Sequence, residues 1–472
     1  MTGPERWCTA GFARRCDAGC WSRQNPSPVP LMGRLEALAV RHLDALYYAA
    51  LVITGFAVLW PALTVYPTFV DNVVSLSVAE RDSAWAFWHD GVFSFQPTYR
   101  PLPYTTLWLQ AQLLDLHVWT YHLVNVVIWI ACGCLLYAIV RRLSGFRLIA
   151  FGIALAVLFD ERAEWNLWVI LERQTSLAVL AGLLALLLTL RLSSFRRRNL
   201  TLVAIGALLV LSSLSIEYGL AFSAAVFTAG VVSRPGARRG LMVASFVAVA
   251  VYTGLRLGAT GGVSRDFCEN MGYFTQLRPD PTCLSSLSTE VRVKQHLYNV
   301  GAGLVGIVFP SLFSYDGVWE PYAREKYKLA VSMAVFLLAL FGLARRPRET
   351  IPFLALWVAN AALLFFLYRS RNQVVGMIGI YTSAGIGAGE LTRLAKSHLR
   401  HARLAVAGAA LLIGAWLVFI GLESSDRLRT VRAQERRGDP CRALVVYPDD
   451  ASRQVVAEIK RRYRMSNIEC AG

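Results

Sequence analysis

The side chains with the widest chemical reach fall between the first two long apolar runs. Asp71, Glu80, Asp82, His89, Asp90 and Arg100 lie there among Trp85, Trp88, Phe93, Phe95 and Tyr99. Carboxylates accept hydroxyl hydrogen bonds and protons, and a planar guanidinium grips phosphate through two parallel bonds. Flat rings cover sugar faces. Such a set suits a phosphate-bearing sugar. Aromatic residues at this depth also form the ordinary belt of a membrane interface, so composition leaves both readings open. Further along, Glu164, Glu172 and Arg173 flank a short polar segment, and Glu217 separates two apolar runs. An ionisable group at that depth is costly and tends to be functional or paired; a glutamate capping the next helix is the other reading. Arg371 stands just before a late apolar run, where it reads either as a phosphate ligand or as a snorkelling side chain. His89 reads as a pocket residue or a loop histidine.

The elements that must position these residues are membrane helices. The chain has 472 residues, is 55% hydrophobic and 17% charged, and has a mean hydropathy of +0.44. Soluble domains are about a quarter charged. A span needs about 20 apolar residues, and eleven runs are candidates: 44–66, 118–140, 147–160, 174–193, 200–216, 219–233, 240–257, 328–344, 351–368, 374–391 and 403–422. The third and the 219–233 run are short. The net charge of +17 raises nucleic acid as a partner, but the basic residues cluster in short loops between apolar runs. Arg141, Arg142 and Arg147 share one loop, Arg196 to Arg198 the next, then Arg234, Arg238 and Arg239, then Arg345, Arg346 and Arg348, and finally Arg393, Lys396, Arg400 and Arg403. All five follow an even number of crossings if the N-terminus is cytoplasmic, as the positive-inside rule requires. No nucleic acid is expected; the partner is the bilayer, and the location a cell inner membrane.

This orientation sends residues 67–117, 161–173 and 258–327 and the tail from 423 to the outer side. The apolar segment 297–314 must then start and finish on that side, as a re-entrant or interfacial helix; a true span there would invert every later loop. The tail 423–472 reads as a small α/β cap, with a buried strand in RALVVYP and an amphipathic helix from the Asp449-Asp450 pair. Cys268 with Cys283, and Cys441 with Cys470, are disulfide candidates in an oxidising compartment, whereas Cys132 and Cys134 read as packing residues. Residues 1–43 read as a cytoplasmic leader, with 1–31 disordered or upstream of a start at Met32. The leader lacks the apolar core of a signal peptide, and Cys8, Cys16 and Cys20 lack a fourth metal ligand nearby. There is no P-loop, no GxGxxG and no HExxH, which argues against an ATPase transporter, a dinucleotide enzyme and a common zincin.

Four segments carry a resemblance. TYRPLPYTTLWLQAQLLDLHVWTYHLVNVVIW, LFDERAEWNLWVILERQTSL, SLSIEYGLAF and FLYRSRNQVVGMIGIYTSAGIG resemble, in that order, segments of the GT-C membrane glycosyltransferases. The closest likeness is to the protein O-mannosyltransferase-like branch, including its tetratricopeptide-carrying members. It covers roughly residues 44–390 and implies a GT-C-like helical bundle, with a polyprenyl-phosphate sugar as donor and an acceptor hydroxyl on the outer side. Asp71, at the outer mouth of the first run, is then the general base. Arg371, Arg173 and Arg100 are the candidates for the lipid phosphate, with Arg371 preferred. Glu217, Glu164, His89, Asp90 and Tyr99 are candidates for acceptor or sugar.

The chain departs from the branch in four ways. Asn72 follows Asp71 where the branch has a second acid. Asp160-Glu161-Arg162 replaces a histidine- and proline-bearing start, Ile216 stands in place of a lysine, and no tetratricopeptide repeats follow. No metal or other cofactor is assigned, since no His, Asp or Glu cluster has metal spacing, although some relatives in the wider class use a divalent ion. Two alternatives stay open. A lipid-linked glycan transporter or flippase would show polar mid-span residues and an inverted repeat. A non-catalytic scaffold of GT-C descent would fit the missing second acid.

Overall fold

A computed structural model describes residues 31–65, 76, 83–89, 99–114, 117–192, 197–232, 237–260, 289–312, 326–364, 370–398 and 421–433, with 453, 455–457 and 460–461 in the tail. The chain divides into a unit of Met1–Leu46 and a unit of Tyr47–Gly472; the bundle and the site belong to the second. All regular structure among the described residues is helical: α1 (Leu31–Leu59), the short α2 (Ala86–His89), α3 (Pro101–Leu114), α4 (Val118–Ser144), α5 (Arg147–Leu158), α6 (Glu161–Trp168), α7 (Arg173–Arg191), α8 (Arg198–Ser215), α9 (Leu220–Val232), α10 (Arg238–Thr260), α11 (Thr289–Val308), α12 (Lys326–Arg345), α13 (Pro347–Leu363), α14 (Val374–His398) and α15 (421–433).

Among the described residues, seven stretches are long and apolar enough to cross a membrane: His42–Thr64, Val118–Ser144, Ile170–Arg191, Arg198–Ser215, Arg238–Ala259, Lys328–Arg345 and Val374–Lys396. The two runs expected to be short form short helices. Run 147–160 becomes α5, of 12 residues, about 18 Å of helix against a hydrocarbon layer of about 30 Å. Run 219–233 becomes the 13 residues of α9, and most of run 403–422 lies outside the described residues. The first helix starts at Leu31, and its candidate span, His42–Thr64, lies close to the expected run 44–66. The tail strand lies outside the described residues, as do Cys268, Cys283, Cys441 and Cys470.

Helix ends follow local chemistry. α4 closes on Gly145, whose φ of 83° suits only glycine well, and its N–H donates to the Arg141 carbonyl. Arg141 and Arg142 in that last turn oppose the negative end of the helix dipole. The α8–α9 hairpin turns tightly: Ile216 is extended, one 3₁₀ turn covers Glu217–Gly219, and the Gly219 N–H donates to the Ile216 carbonyl at 2.8 Å. A β-carbon at Gly219 would strike the Ser212 carbonyl, so the bend that presents Glu217 needs a glycine.

Helix α14 is the hub. Of its apolar window 78% is buried, against 11% for α12 and 28% for α10. It packs on α12, α13, α4 and α5. Small residues allow this closeness: Gly387 faces the Leu338 carbonyl and Gly342, and Gly342 faces Ser383 in return. The low burial of α10 and α12 leaves Phe246, Val243, Leu337 and Met333 for lipid.

Polar contacts define two ends of the bundle. At one, Arg346 donates to the Leu143 carbonyl at 2.6 Å and Arg393 to the Ser144 carbonyl at 2.7 Å. Arg346 pairs there with Glu349, Arg393 with Glu390, and Lys396 lies over the Phe146 ring. The other end gathers α3, α6, the Glu217 turn, the last turns of α10, the C-terminal part of α11 and the starts of α7, α12 and α14. Arg256 near the end of α10 pairs with Glu217, and Lys328 near the start of α12 pairs with Glu161. The end of α10 and the start of α12 therefore lie at the same end of the bundle.

Candidate functional site

The polar end holds three linked groups of charged and polar side chains. In the first, Arg100 stands at the entry to α3, where Pro101 fixes the helix start. Its Nε donates to Glu217 Oε2 at 2.9 Å, its Nη2 lies 2.7 Å from the same oxygen, and its Nη1 donates to Gln174 Oε1 at 3.0 Å. Arg256 approaches the other Glu217 oxygen at 3.5 Å and donates to the Tyr252 hydroxyl at 3.0 Å. Burial opposes the Arg100 charge, and the Glu217 carboxylate more than restores it, so the guanidinium sits above its ordinary range. Tyr99 is buried and donates to the Trp88 carbonyl at 3.1 Å, while Trp88 donates to Thr105. Tyr99 is thus committed to holding α2 against α3.

The second group surrounds Arg173, the first residue of α7, which is 1% exposed. Its Nε donates to Asn125 Oδ1 at 2.8 Å and its Nη2 to the Tyr121 carbonyl at 3.1 Å, with the Tyr121 ring 5.8 Å away. Among the described residues no carboxylate pairs with Arg173. Two of its five N–H donors are thereby engaged, both by neutral acceptors. Asn125 in turn donates toward the Val169 and Ile170 carbonyls, and His122 lies 3.0 Å from the Leu167 carbonyl through Nδ1. The chain from 166 to 173 is thereby laid along α4.

The third group fixes α6. Arg162 is buried against Asp160 at 2.7 Å and donates to the Ile307 carbonyl of α11 at 2.8 Å. Burial pushes the Asp160 carboxyl up, and Arg162 more than offsets this, so Asp160 stays below its usual range. Arg427 of α15 clamps Glu164 through Nε and Nη2 at 2.6–2.9 Å and also pairs with Glu423 at 2.7 Å. Lys328 bridges Glu161 and Glu423 at 3.1 and 3.3 Å. Burial lifts the Glu164 carboxyl to about 7 against the downward pull of Arg427.

The structure brings Arg100, Glu217, Arg173, Glu164 and Tyr99 to one end. Asp71 and Asp90 lie outside the described residues; His89 ends α2 and Arg371 falls in the turn Ser370–Gln373, the side chains of both being outside the described set. Glu172 accepts from Thr175 at 3.1 Å. Among the described residues there is no group of three or more His, Cys, Asp or Glu placed to hold a metal. Cys132 is buried with its sulfur 3.5 Å from the Ser176 carbonyl, and Cys134 is half-buried.

Sequence reasoning did not single out Asn125, Arg256, Asn372 or Arg427 as partners. Arg256 carried a signal, as a lone arginine late in an apolar run. Asn125 lies inside the HLVN segment. Arg427 sits in a tail helix of mixed charge and carried none. Asn372 donates to the Tyr218 hydroxyl at 2.8 Å and accepts from Asn360 at 3.2 Å, tying the 370–373 turn to the Glu217 turn.

No protein-family model matches the chain, and no curated protein matches it. Among solved structures, the chain is similar to the archaeal oligosaccharyltransferase AglB from Archaeoglobus fulgidus, in complex with an inhibitory peptide and a dolichol-phosphate. The identity is 12%, the TM-score 0.49, and the match covers 84% of this chain and 56% of that one. This chain therefore spans little more than half the length of that protein.

Proposed function

We propose that this chain is a membrane glycosyltransferase moving a sugar from a polyprenyl-phosphate donor to an acceptor hydroxyl at the polar end of the bundle. One observation carries the reading. The four segments that resemble GT-C enzymes are far apart in sequence, yet polar side chains join them. Arg100 meets Glu217 across 117 positions and Gln174 across 74, Arg173 meets Asn125 across 48, and Asn372 meets Tyr218 across 154. Chance likenesses in apolar helices have no reason to converge on one buried polar network.

In this reading Asp71 takes the acceptor proton as the acceptor oxygen attacks the anomeric carbon. The bond from that carbon to the phosphate oxygen breaks, and polyprenyl phosphate leaves with the electron pair. Positioned proton transfer contributes roughly 10²–10⁴-fold. Negative charge develops on the leaving phosphate and needs fixed positive charge nearby. Arg173 suits that role better than Arg100: Arg100 is already matched by Glu217, whereas Arg173 has only neutral partners among the described residues. Arg371, on the turn next to Asn372, is the second candidate. The clustering of basic loops at the opposite end supports an extracytoplasmic site in an inner membrane.

The test is transfer by purified protein from radiolabelled polyprenyl-phosphate sugars, with wild type beside Asp71→Asn and Arg173→Met. Release of polyprenyl phosphate by wild type alone is the expected result. Donor binding by wild type without release of polyprenyl phosphate would overturn the transferase reading in favour of a lipid-glycan carrier.

A further inference from the structure

Three side chains at the polar end are fully buried and have polar atoms without a partner. His122 (0% exposed) uses Nδ1 on the Leu167 carbonyl and leaves Nε2 unbonded. Asn166 (0%) leaves both Nδ2 and Oδ1 unbonded, and Gln373 (0%) leaves both Nε2 and Oε1 unbonded. Folded proteins pair nearly all such atoms, so an orphan calls for an ordered water or a ligand.

The three come from elements that meet at α6. His122 reaches the Leu167 carbonyl, next in sequence to Asn166. Helix α6 packs on the turn Ser370–Gln373 that carries Gln373. Arg173 binds Tyr121 and Asn125, which flank His122 on α4. The orphans therefore lie on, or on elements packed against, the segment that leads to the buried guanidinium.

Their chemistry selects the ligand. A carbonyl can only accept, so His122 Nδ1 carries the proton; a second charge on a fully buried ring close to the Arg173 cation is costly, so the ring is taken as neutral, with a lone pair on Nε2. Each amide adds both a donor and an acceptor. None of the three is charged. Phosphate would leave these acceptors unmatched and push against them, and an apolar chain would leave all five atoms orphaned. A hydroxyl both donates and accepts, so neighbouring hydroxyls of a neutral polyol satisfy the set, with an anion beside them on Arg173. We infer that His122, Asn166 and Gln373 form the subsite that binds the hydroxyls of the transferred sugar, next to an Arg173 phosphate site. The inference rests on the glycosyltransferase reading for its ligand, but it fails separately from it.

The experiment measures binding by full-length protein in nanodiscs. The probes are undecaprenyl phosphate and the same lipid carrying mannose, glucose, galactose or arabinose. Wild type should bind one glycosylated lipid at least tenfold more tightly than bare undecaprenyl phosphate. Asn166→Leu and Gln373→Met, which nearly keep the shape and remove the orphaned atoms, should each erase most of that preference while leaving affinity for undecaprenyl phosphate unchanged. Neither change should lower Tm, because each removes buried unpaired groups. Two results would overturn the subsite: equal binding of bare and glycosylated lipid by wild type, or an undiminished sugar preference in both variants. The latter means that the orphans hold only water. Transfer by wild type with undiminished preference in the variants would sink the subsite alone. Sugar-selective binding lost in the variants, with no transfer by any protein, would sink the transferase reading and keep the subsite.

Discussion

Arg100 and Arg173 stand at the same end of the bundle and were equivalent candidates in the sequence, yet the fold treats them in opposite ways. Arg100 is 18% exposed in its side chain and bound to Glu217, which a second arginine, Arg256, also approaches. Arg173 is 1% exposed and bound to an amide oxygen, a carbonyl and a ring face. A paired buried charge is a structural element; one held, among the described residues, by neutral groups alone is the better candidate for an anion that arrives later. The cost of desolvating Arg173 is borne by the fold, and an incoming anion would recover it.

The sharpest break in this comparison is Arg173→Met. Removing an uncompensated buried charge should leave Tm unchanged or raised while lowering kcat/KM for transfer by roughly 10²–10³-fold, the usual loss when a group stabilising transition-state charge is deleted. Parallel melting and turnover measurements check both halves. Asn125→Asp should turn Arg173 into a second Arg100 by placing a carboxylate against it. Melting should rise, and the donor KM should rise about tenfold as the guanidinium loses its free charge; an unchanged KM would remove Arg173 from the phosphate site.

Arg100→Leu should act in the reverse sense, with stability as its main loss. Deleting one partner leaves Glu217 with only the more distant Arg256, at a cost of about 1–3 kcal/mol. The double change Arg100→Leu with Glu217→Leu should recover part of that loss, as a double-mutant cycle in denaturant would reveal.

The smallest effect expected is at Glu164. Its folded carboxyl is raised to about 7 from an ordinary 4.5, so the folded state holds a proton that the unfolded chain has released. The resulting stability is complete below about pH 4.5 and fades as pH climbs through about 7. Glu164→Gln should flatten the Tm profile across that window, with wild type and variant diverging most above pH 7. A profile identical to wild type would mean that Arg427 keeps Glu164 charged throughout.

Much of the frame was legible in the sequence because apolar runs and arginine-rich loops are one-dimensional signals. The helical runs around 118–144, 173–191 and 374–398 follow from composition, and the arginines of one bundle end from their spacing. Glu217 stood out because a carboxylate between apolar runs is costly. Its partner did not, since nothing within ten residues of Arg100 points across 117 positions. The same holds for Arg427, whose helix looks like any charged tail until Glu164 is seen beneath it. Lengths were read less well: α5 stops after 12 residues although the apolar run continues to Phe159, because Asp160 and Arg162 pair with each other and end the run in a polar turn.

The glycine contact between α12 and α14 has a consequence for how the bundle responds to its surroundings. In lipid, an apolar helix gains little from hiding its side chains, since the acyl chains are as apolar as leucine. With so little of its surface buried, α12 is held chiefly by shape, where Gly342 and Gly387 let two backbones touch. An attachment made of close contact rather than of water avoidance does not fade on cooling as hydrophobic association does. The seam that carries Lys328 to Glu161 and Glu423 should therefore hold equally well in a cold membrane and a warm one.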